Sequence, residues 1–466
     1  MLGSISRRLA TFIQGVDCDN LPDEVREKAK ACILNAIGVG MAAYNTDLAR
    51  TGIASATAEV EKTTGGATIL VNGARASLPD AAFANAVMFH SRAQEDTLHE
   101  ARTHLGPVVV PAALAVGQAL GSSGRDFIAA VVAGYETACA MGVKNATLSV
   151  PRGFRATSIY AIFGAAAAAG KLLGLDERRL ANALGFAASL AGGTNECFLA
   201  GTSEWRFETA MAAHNGVLAA LLAANGGEAA GSAIEGRAGF LQAFTGTTEN
   251  AERILAGLGE KYRALEVVFK PYPVGGINQV PCIAALELAA EAKLDSSEIA
   301  AIEIRTARSE ATYPGAANRG PFSQIGATLM STVYCVSLAL SQRQITLEGL
   351  QRYDDQTILG LVARSTLVPS DLPELSCDLK LTRTSGQIYE KSLRKSEHDF
   401  AYDYAGVTRL MRSLAPEMAI SAATLEKLID AVATIEKCDN VGAIVEMLVG
   451  KRDEGEALAK SFGTSH

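Results

Sequence analysis

Histidine is scarce in this chain, with six in 466 residues, and tryptophan occurs once, at Trp205. An excess of basic charge is missing too. The net charge of −8 argues against the broad basic surface that a nucleic-acid partner needs. It also obliges any anionic ligand to find a local group of Arg and Lys. The eight cysteines, at 18, 32, 139, 197, 282, 335, 377 and 438, show no CxxC or zinc-ligand spacing. Most stand in apolar context, as expected of reduced, buried thiols in a cytoplasmic protein. There is no Walker loop, no GxGxxG after a strand, no GxSxG elbow and no HExxH. The chemistry should therefore need no nucleotide. Uninterrupted apolar runs are short: Gly, Pro or charge breaks each one before about 18 residues, so no membrane span is expected. The opening "MLGSISRRLATFIQGV" reads as an amphipathic helix, not a signal sequence.

What is present is globular. Hydrophobic residues make up 48% and charged residues 20%, and the length suggests two domains. Glycine (44) and Ala-rich runs point to closely packed helices. "RDFIAAVVAGYETACAMG", after Ser122-Ser123-Gly124, has helical spacing. "AIFGAAAAAGKLLGL" and the Asp176-capped "DERRLANALGFAASL" form an αα-hairpin. "AMAAHNGVLAALLAANG" is another Ala-rich helix, and "ATILVNGARAS" reads as a small hairpin with a type I′ turn at Asn72-Gly73. Near residue 265 the pattern changes. "CIAALELAAEAKL" and "STVYCVSLALSQ" are helical, "IAAIEIRTARS" alternates like a half-buried strand, and "CDLKLTRTSGQIYEKSL" is a hairpin. After His398 the chain is helical again, with Ser421 capping "AATLEKLIDAVATIEK". The expected fold is mainly α. A large helical domain formed by both chain ends (1–265 and 399–450) holds a smaller inserted α/β domain (266–398), and a polar tail follows (451–466).

Three segments carry the chemical signal. "EDTLHEARTHLGP" (95–107) gathers Glu95, Asp96, Thr97, His99 and His104 just before an apolar helix. Imidazoles beside carboxylates suit acid–base work near neutral pH, and a loop feeding a helix N-terminus suits an anion. A solvated polar loop is the plain alternative. His99 and His104 lack helical i,i+4 spacing, so a metal site is not expected. In "GTSEWRFETAMAAHNG" (201–216), Arg206 could fork onto a substrate carboxylate, against the plainer reading of capping and surface charge. "FKPYPVGGINQ" (269–279) places Lys270 and Tyr272 between prolines at the expected domain junction, where clefts form. It could equally be a plain linker. His214 and His398 read as structural or solvated.

These segments, in this order, together with "FGAAAAAGKLLGLDERRLANALGFAASLAGG" (163–193) and "RFETAMAAHNGVLAALLA", resemble the MmgE/PrpD family. That family includes 2-methylcitrate dehydratases, cis-aconitate decarboxylases and an iminodisuccinate epimerase. The resemblance spans about residues 5–445. It implies a homodimer, a site between two domains, and cofactor-free chemistry on small di- or tricarboxylates. Asp96, Thr97, His99 and Lys270 match the family pattern, and His104 matches with a one-residue shift. Other positions depart from it. A family Lys and His align with Trp205 and Glu208, another His with Arg155, an acid with Ala93, and the His after KPYP with Gln279. Loss of these groups puts hydroxide expulsion in doubt.

The expectation is therefore an isomerase: an epimerase of a small polycarboxylate such as iminodisuccinate, working by two-base proton abstraction and return. His104, Lys270, Tyr272 and Asp96 are its expected catalytic residues. Thr97, His99, Arg155, Arg206 and Gln279 are expected to bind the substrate. The alternatives are a tricarboxylate dehydratase or decarboxylase, acting on 2-methylcitrate or cis-aconitate, and a non-catalytic carboxylate-binding homologue.

Overall fold

The computed structural model describes residues 3–57, 66–292 and 295–450. The chain is mainly helical, with a small mixed sheet. The helices that position the site are α1 (Leu78–His90), α2 (Gly106–Leu120), α3 (Gly124–Gly142), α4 (Ala156–Leu172) and α5 (Trp205–Ala224). Helix α4 is the hub, and every residue from Ala156 to Gly170 is buried. Its alanines and glycines explain why. A Cβ on Gly164 would lie 2.6 Å from the Gly134 carbonyl of α3, and one on Gly216 of α5 would lie 2.4 Å from the Ala165 Cβ. Only glycine lets these backbones come so close. Helix α5 is the one continuous helix among the described residues that is long and apolar enough to cross a membrane, and half of it is buried inside the fold.

The two expected caps, Asp176 and Ser421, are in place, and Ser123 caps a third helix. Ser123 accepts the Asp126 amide, Asp176 the Arg179 amide and Ser421 the Thr424 amide, each satisfying an N–H left unpaired at a helix start. The hairpin near residue 70 is present, with Ala67–Thr68 (β1) antiparallel to Arg75–Ala76 (β2). Its turn is not the expected type I′. Positive φ falls on Val71 and Gly73 rather than on Asn72 and Gly73. Val71 pairs just beyond the last helix of the described residues, where its amide donates to the Leu448 carbonyl at 3.0 Å.

The sheet has the order β4-β3-β5-β6. β3 (Ile299–Ala307) pairs in parallel with β4 (Ser365–Ser370) and antiparallel with β5 (Ser376–Arg383), which pairs antiparallel with β6 (Ile388–Arg394). β4 was not foreseen. "STLVPS" offers little alternation, and Pro369 is tolerated because β4 is an edge strand. Helices α6 (Gln279–Ala292) and α7 (Thr332–Gln342) supply the apolar partners of the sheet. Buried apolar side chains form two clusters. One draws on residues 5–269 and 407–448. The other draws on 268–400, and Ala93, Cys197 and Trp205 reach into it. The expected polar tail lies outside the described residues.

Candidate active site

The segment after α1 is held from several sides. Arg92, fully buried, forks onto both carboxylate oxygens of Glu417 at 2.8 and 3.0 Å. Gln94 donates to the Pro271 carbonyl at 2.6 Å. Thr97 and Val268 exchange two backbone hydrogen bonds, each 2.9 Å long. This antiparallel pairing sets a register in which the residue two before Thr97 faces the residue two after Val268. Those residues are Glu95 and Lys270. The Lys270 Nζ donates to Glu95 Oε1 and to the Ala93 carbonyl, both at 2.7 Å. Both side chains are buried. Two of the three sequence segments that carried the chemical signal thus meet through an ion pair.

His104 joins the same cluster. Its Nδ1 lies 2.9 Å from Thr97 Oγ1, 3.1 Å from the Asp96 carbonyl oxygen and 3.5 Å from Glu95 Oε1. A carbonyl oxygen only accepts, so Nδ1 carries the hydrogen and Nε2 keeps its lone pair. Burial, and then the Lys270 ammonium, hold the His104 imidazole well below its ordinary range, against the pull of Glu95. His104 is therefore neutral at pH 7. His90 lies behind it, with ring centroids 5.4 Å apart, and packs edge-on against Trp205. Burial pulls His90 down to about 4. Burial pushes the Glu95 carboxyl up, but Lys270, His90 and His104 outweigh it and keep it well below the carboxylate range. Burial lowers Lys270, while the Glu95 carboxylate opposes the loss of its proton.

Glu95, His104 and Lys270 line a cavity of about 510 Å³ between the helical part and the α/β part. Thr97, Arg155 and Trp205 line it too, with His99 and Arg102. The α/β part contributes Ile277, Glu310, Tyr313, Met330 and Glu374 to the lining. Arg155 is buried, and its guanidinium rests 5.0 Å from the Phe198 ring and 5.8 Å from Trp205. Its Nε has no hydrogen-bond partner among the described residues. A stacked, desolvated guanidinium that faces a cavity is suited to a carboxylate.

Of the residues singled out in the sequence, Thr97, His99, His104, Arg155 and Lys270 line this cavity, and Asp96, Tyr272, Arg206 and Gln279 do not. His99 stands partly exposed, 3.1 Å from Glu397. Asp96 is turned inward. Its Oδ1 accepts the Gly106 amide at 2.7 Å and its Oδ2 the Tyr135 hydroxyl at 2.6 Å, so it anchors the start of α2 instead of facing substrate. Gln279 bonds the Tyr272 amide and the Tyr272 and Val274 carbonyls. That braces the KPYP loop and consumes the side chain. The Tyr272 ring packs into the α/β core. Arg206 is fully buried, stacks 3.8 Å over Trp205 and donates to the Ser91 carbonyl. Burial lowers it to about 9, so it stays charged, behind the cavity wall. Glu95 was visible in the sequence only as one carboxylate of a polar loop. Its central place depends on a pairing with a segment 175 residues away, which no local pattern encodes. Glu310 and Tyr313 carried no signal at all.

Residues 7–253 match the MmgE/PrpD N-terminal domain. The chain belongs to the MmgE/PrpD family. It is 26% identical over 371 residues to the cis-aconitate decarboxylase of Aspergillus terreus, an overlap of 75% of this chain and 74% of that one. It is 30% identical over 280 residues to the human cis-aconitate decarboxylase, covering 59% and 57%. A cis-aconitate decarboxylase-like protein of Aspergillus oryzae is 25% identical over 405 residues, covering 81% and 83%. These matches correct the expectation of an isomerase. The relatives are decarboxylases, hence lyases, by name.

Proposed function

We propose that this MmgE/PrpD protein is a cofactor-independent lyase that decarboxylates a small unsaturated tricarboxylate of the cis-aconitate type. The observation that carries the reading is the Glu95–Lys270–His104 cluster, buried at the wall of a cavity large enough for such a ligand, in a chain similar to cis-aconitate decarboxylases. Decarboxylation also fits the substitutions better than dehydration does, because it expels no hydroxide.

Cis-aconitate has a CH₂–carboxylate next to its double bond. Breaking the bond to that carboxylate leaves an electron pair that shifts the double bond and puts negative charge beside a second carboxylate. Catalysis then has three requirements. The retained carboxylates need fixed cations, and Arg155 supplies a preorganised one. The departing carboxylate is destabilised when it leaves water, and Trp205, Phe198, Ile277 and Met330 make that part of the wall apolar. One proton must be returned to carbon. Burial, with the Lys270 ammonium beside it, keeps the His104 imidazole neutral, and its Nε2 lone pair is free to orient a substrate carboxyl. The test is carbon dioxide release from cis-aconitate by purified protein. Absence of release, with 2-methylcitrate or citrate dehydrated instead, would replace decarboxylation by dehydration.

A further inference from the structure

Glu310 sits on the single helical turn Arg308–Ala311 that follows β3. It is buried yet lines the cavity, on the side contributed by the α/β part. Its Oε1 accepts the Leu375 amide at 2.9 Å, which fixes the carboxyl. Next to it, Ser309 donates to Glu374 at 2.7 Å, and both line the same cavity. Lys270, His99 and His104, which share the lining, are already committed. Lys270 is paired with Glu95, His99 with Glu397, and His104 is neutral with its Nδ1 hydrogen turned away toward the Asp96 carbonyl. Arg155, buried, and Arg102, exposed, remain as cations of the lining. None of these is suited to give a proton to carbon.

We propose that Glu310 is the proton donor of the reaction, acting from the α/β side of the cavity on a substrate held by the helical side. This rests on the lyase reading above. The bond between the methylene carbon and its carboxylate breaks, and carbon dioxide leaves. The released electron pair forms the new double bond. The pair of the former double bond moves to the far carbon and takes the proton of the Glu310 carboxyl. Water then returns a proton to the Glu310 carboxylate, so each turnover consumes one proton and yields one carbon dioxide.

The surroundings suit that role. Burial raises the Glu310 carboxyl to about 7, against the Leu375 amide and with the help of the Glu374 carboxylate, so a share of the molecules hold the proton at neutral pH. A donor works best when its pKa lies near the working pH. Binding of a polyanionic substrate adds negative charge beside Glu310 and favours the protonated form further.

The experiment compares wild type, Glu310→Gln and Glu310→Asp on cis-aconitate across pH. Gln keeps an oxygen for the Leu375 amide, so the fold is preserved, and circular dichroism checks that. The expected result is a fall in kcat of about 10²–10⁴ in Glu310→Gln with KM little changed. The decline of the wild-type rate as pH rises through about 7 should disappear from the residual activity, and Glu310→Asp should keep more activity than Gln. Active wild type with undiminished kcat in Glu310→Gln overturns the donor assignment alone. Inactive wild type, releasing no carbon dioxide, overturns the lyase reading and the donor assignment with it. If Glu310→Gln is misfolded, Glu310→Asp decides: a wild-type pH profile and kcat in that variant count against the proposal.

Discussion

Lys270 and Glu95 lie 2.7 Å apart, both buried, in a register set by the backbone pairing of Thr97 with Val268. The pair ties the loop before α2 to the KPYP segment at the cavity wall. A buried ion pair is a weak stabiliser as a unit, but removing one partner strands the other. Glu95→Gln should therefore lower stability by roughly 3–5 kcal/mol. The double variant Glu95→Gln/Lys270→Met should recover much of the loss. Urea unfolding of the four members of the cycle measures the coupling. Additive losses would mean that the two side chains do not interact.

Asp96 is a structural anchor. Asp96→Ala leaves the Gly106 amide and the Tyr135 hydroxyl without their acceptor, at a cost of about 1–3 kcal/mol for each buried group. Thermal unfolding should show that loss, and kcat per folded molecule should fall by less than about tenfold. A much larger drop in kcat at unchanged stability would return Asp96 to the chemistry.

His104 and Arg155 should separate by kinetic signature. His104→Ala removes a group that orients the substrate and should lower kcat by about 10²-fold. Arg155→Ala should raise KM by about tenfold or more, and Arg155→Lys should not restore it, because an ammonium neither stacks on Phe198 nor forks onto a carboxylate. Arg206→Ala should leave KM unchanged, since Arg206 lies behind Trp205. Steady-state kinetics on the three sites checks the pattern.

His90 predicts an acid limit. Its pKa falls from 6.5 to about 4 in the fold because burial disfavours the imidazolium, with Glu95 only partly offsetting this. The unfolded chain takes up this proton first, so the fold weakens as pH falls through that interval and gains nothing from this group above it. Urea midpoints of wild type and His90→Gln should converge as pH drops from 7 to 4, apart from losses common to both. Parallel curves would contradict the assignment.

Local signals in the sequence located many of the helices, two of their caps and most strands, because spacing and capping residues are written within about ten positions, whereas helices such as Leu78–His90 were not singled out. β4 escaped, since a Pro-containing edge strand in a parallel pair has little alternation of its own. The site was half legible. Thr97, His104, Arg155 and Lys270 stood out by type and by family likeness. Asp96 and Gln279 stood out equally, yet their side chains are consumed by backbone donors and acceptors that only the folded chain supplies. Glu310 lies on a short turn after a strand, and nothing within its own segment distinguishes it from an exposed carboxylate.

The most direct test of the lyase reading is proton NMR of cis-aconitate with the purified protein in D₂O, with carbon dioxide followed in parallel. The account predicts release of carbon dioxide, a new terminal-alkene pair of resonances and one deuterium in the product, all formed more slowly by His104→Ala. Exchange of the methylene hydrogens with no carbon dioxide and no new alkene would contradict it.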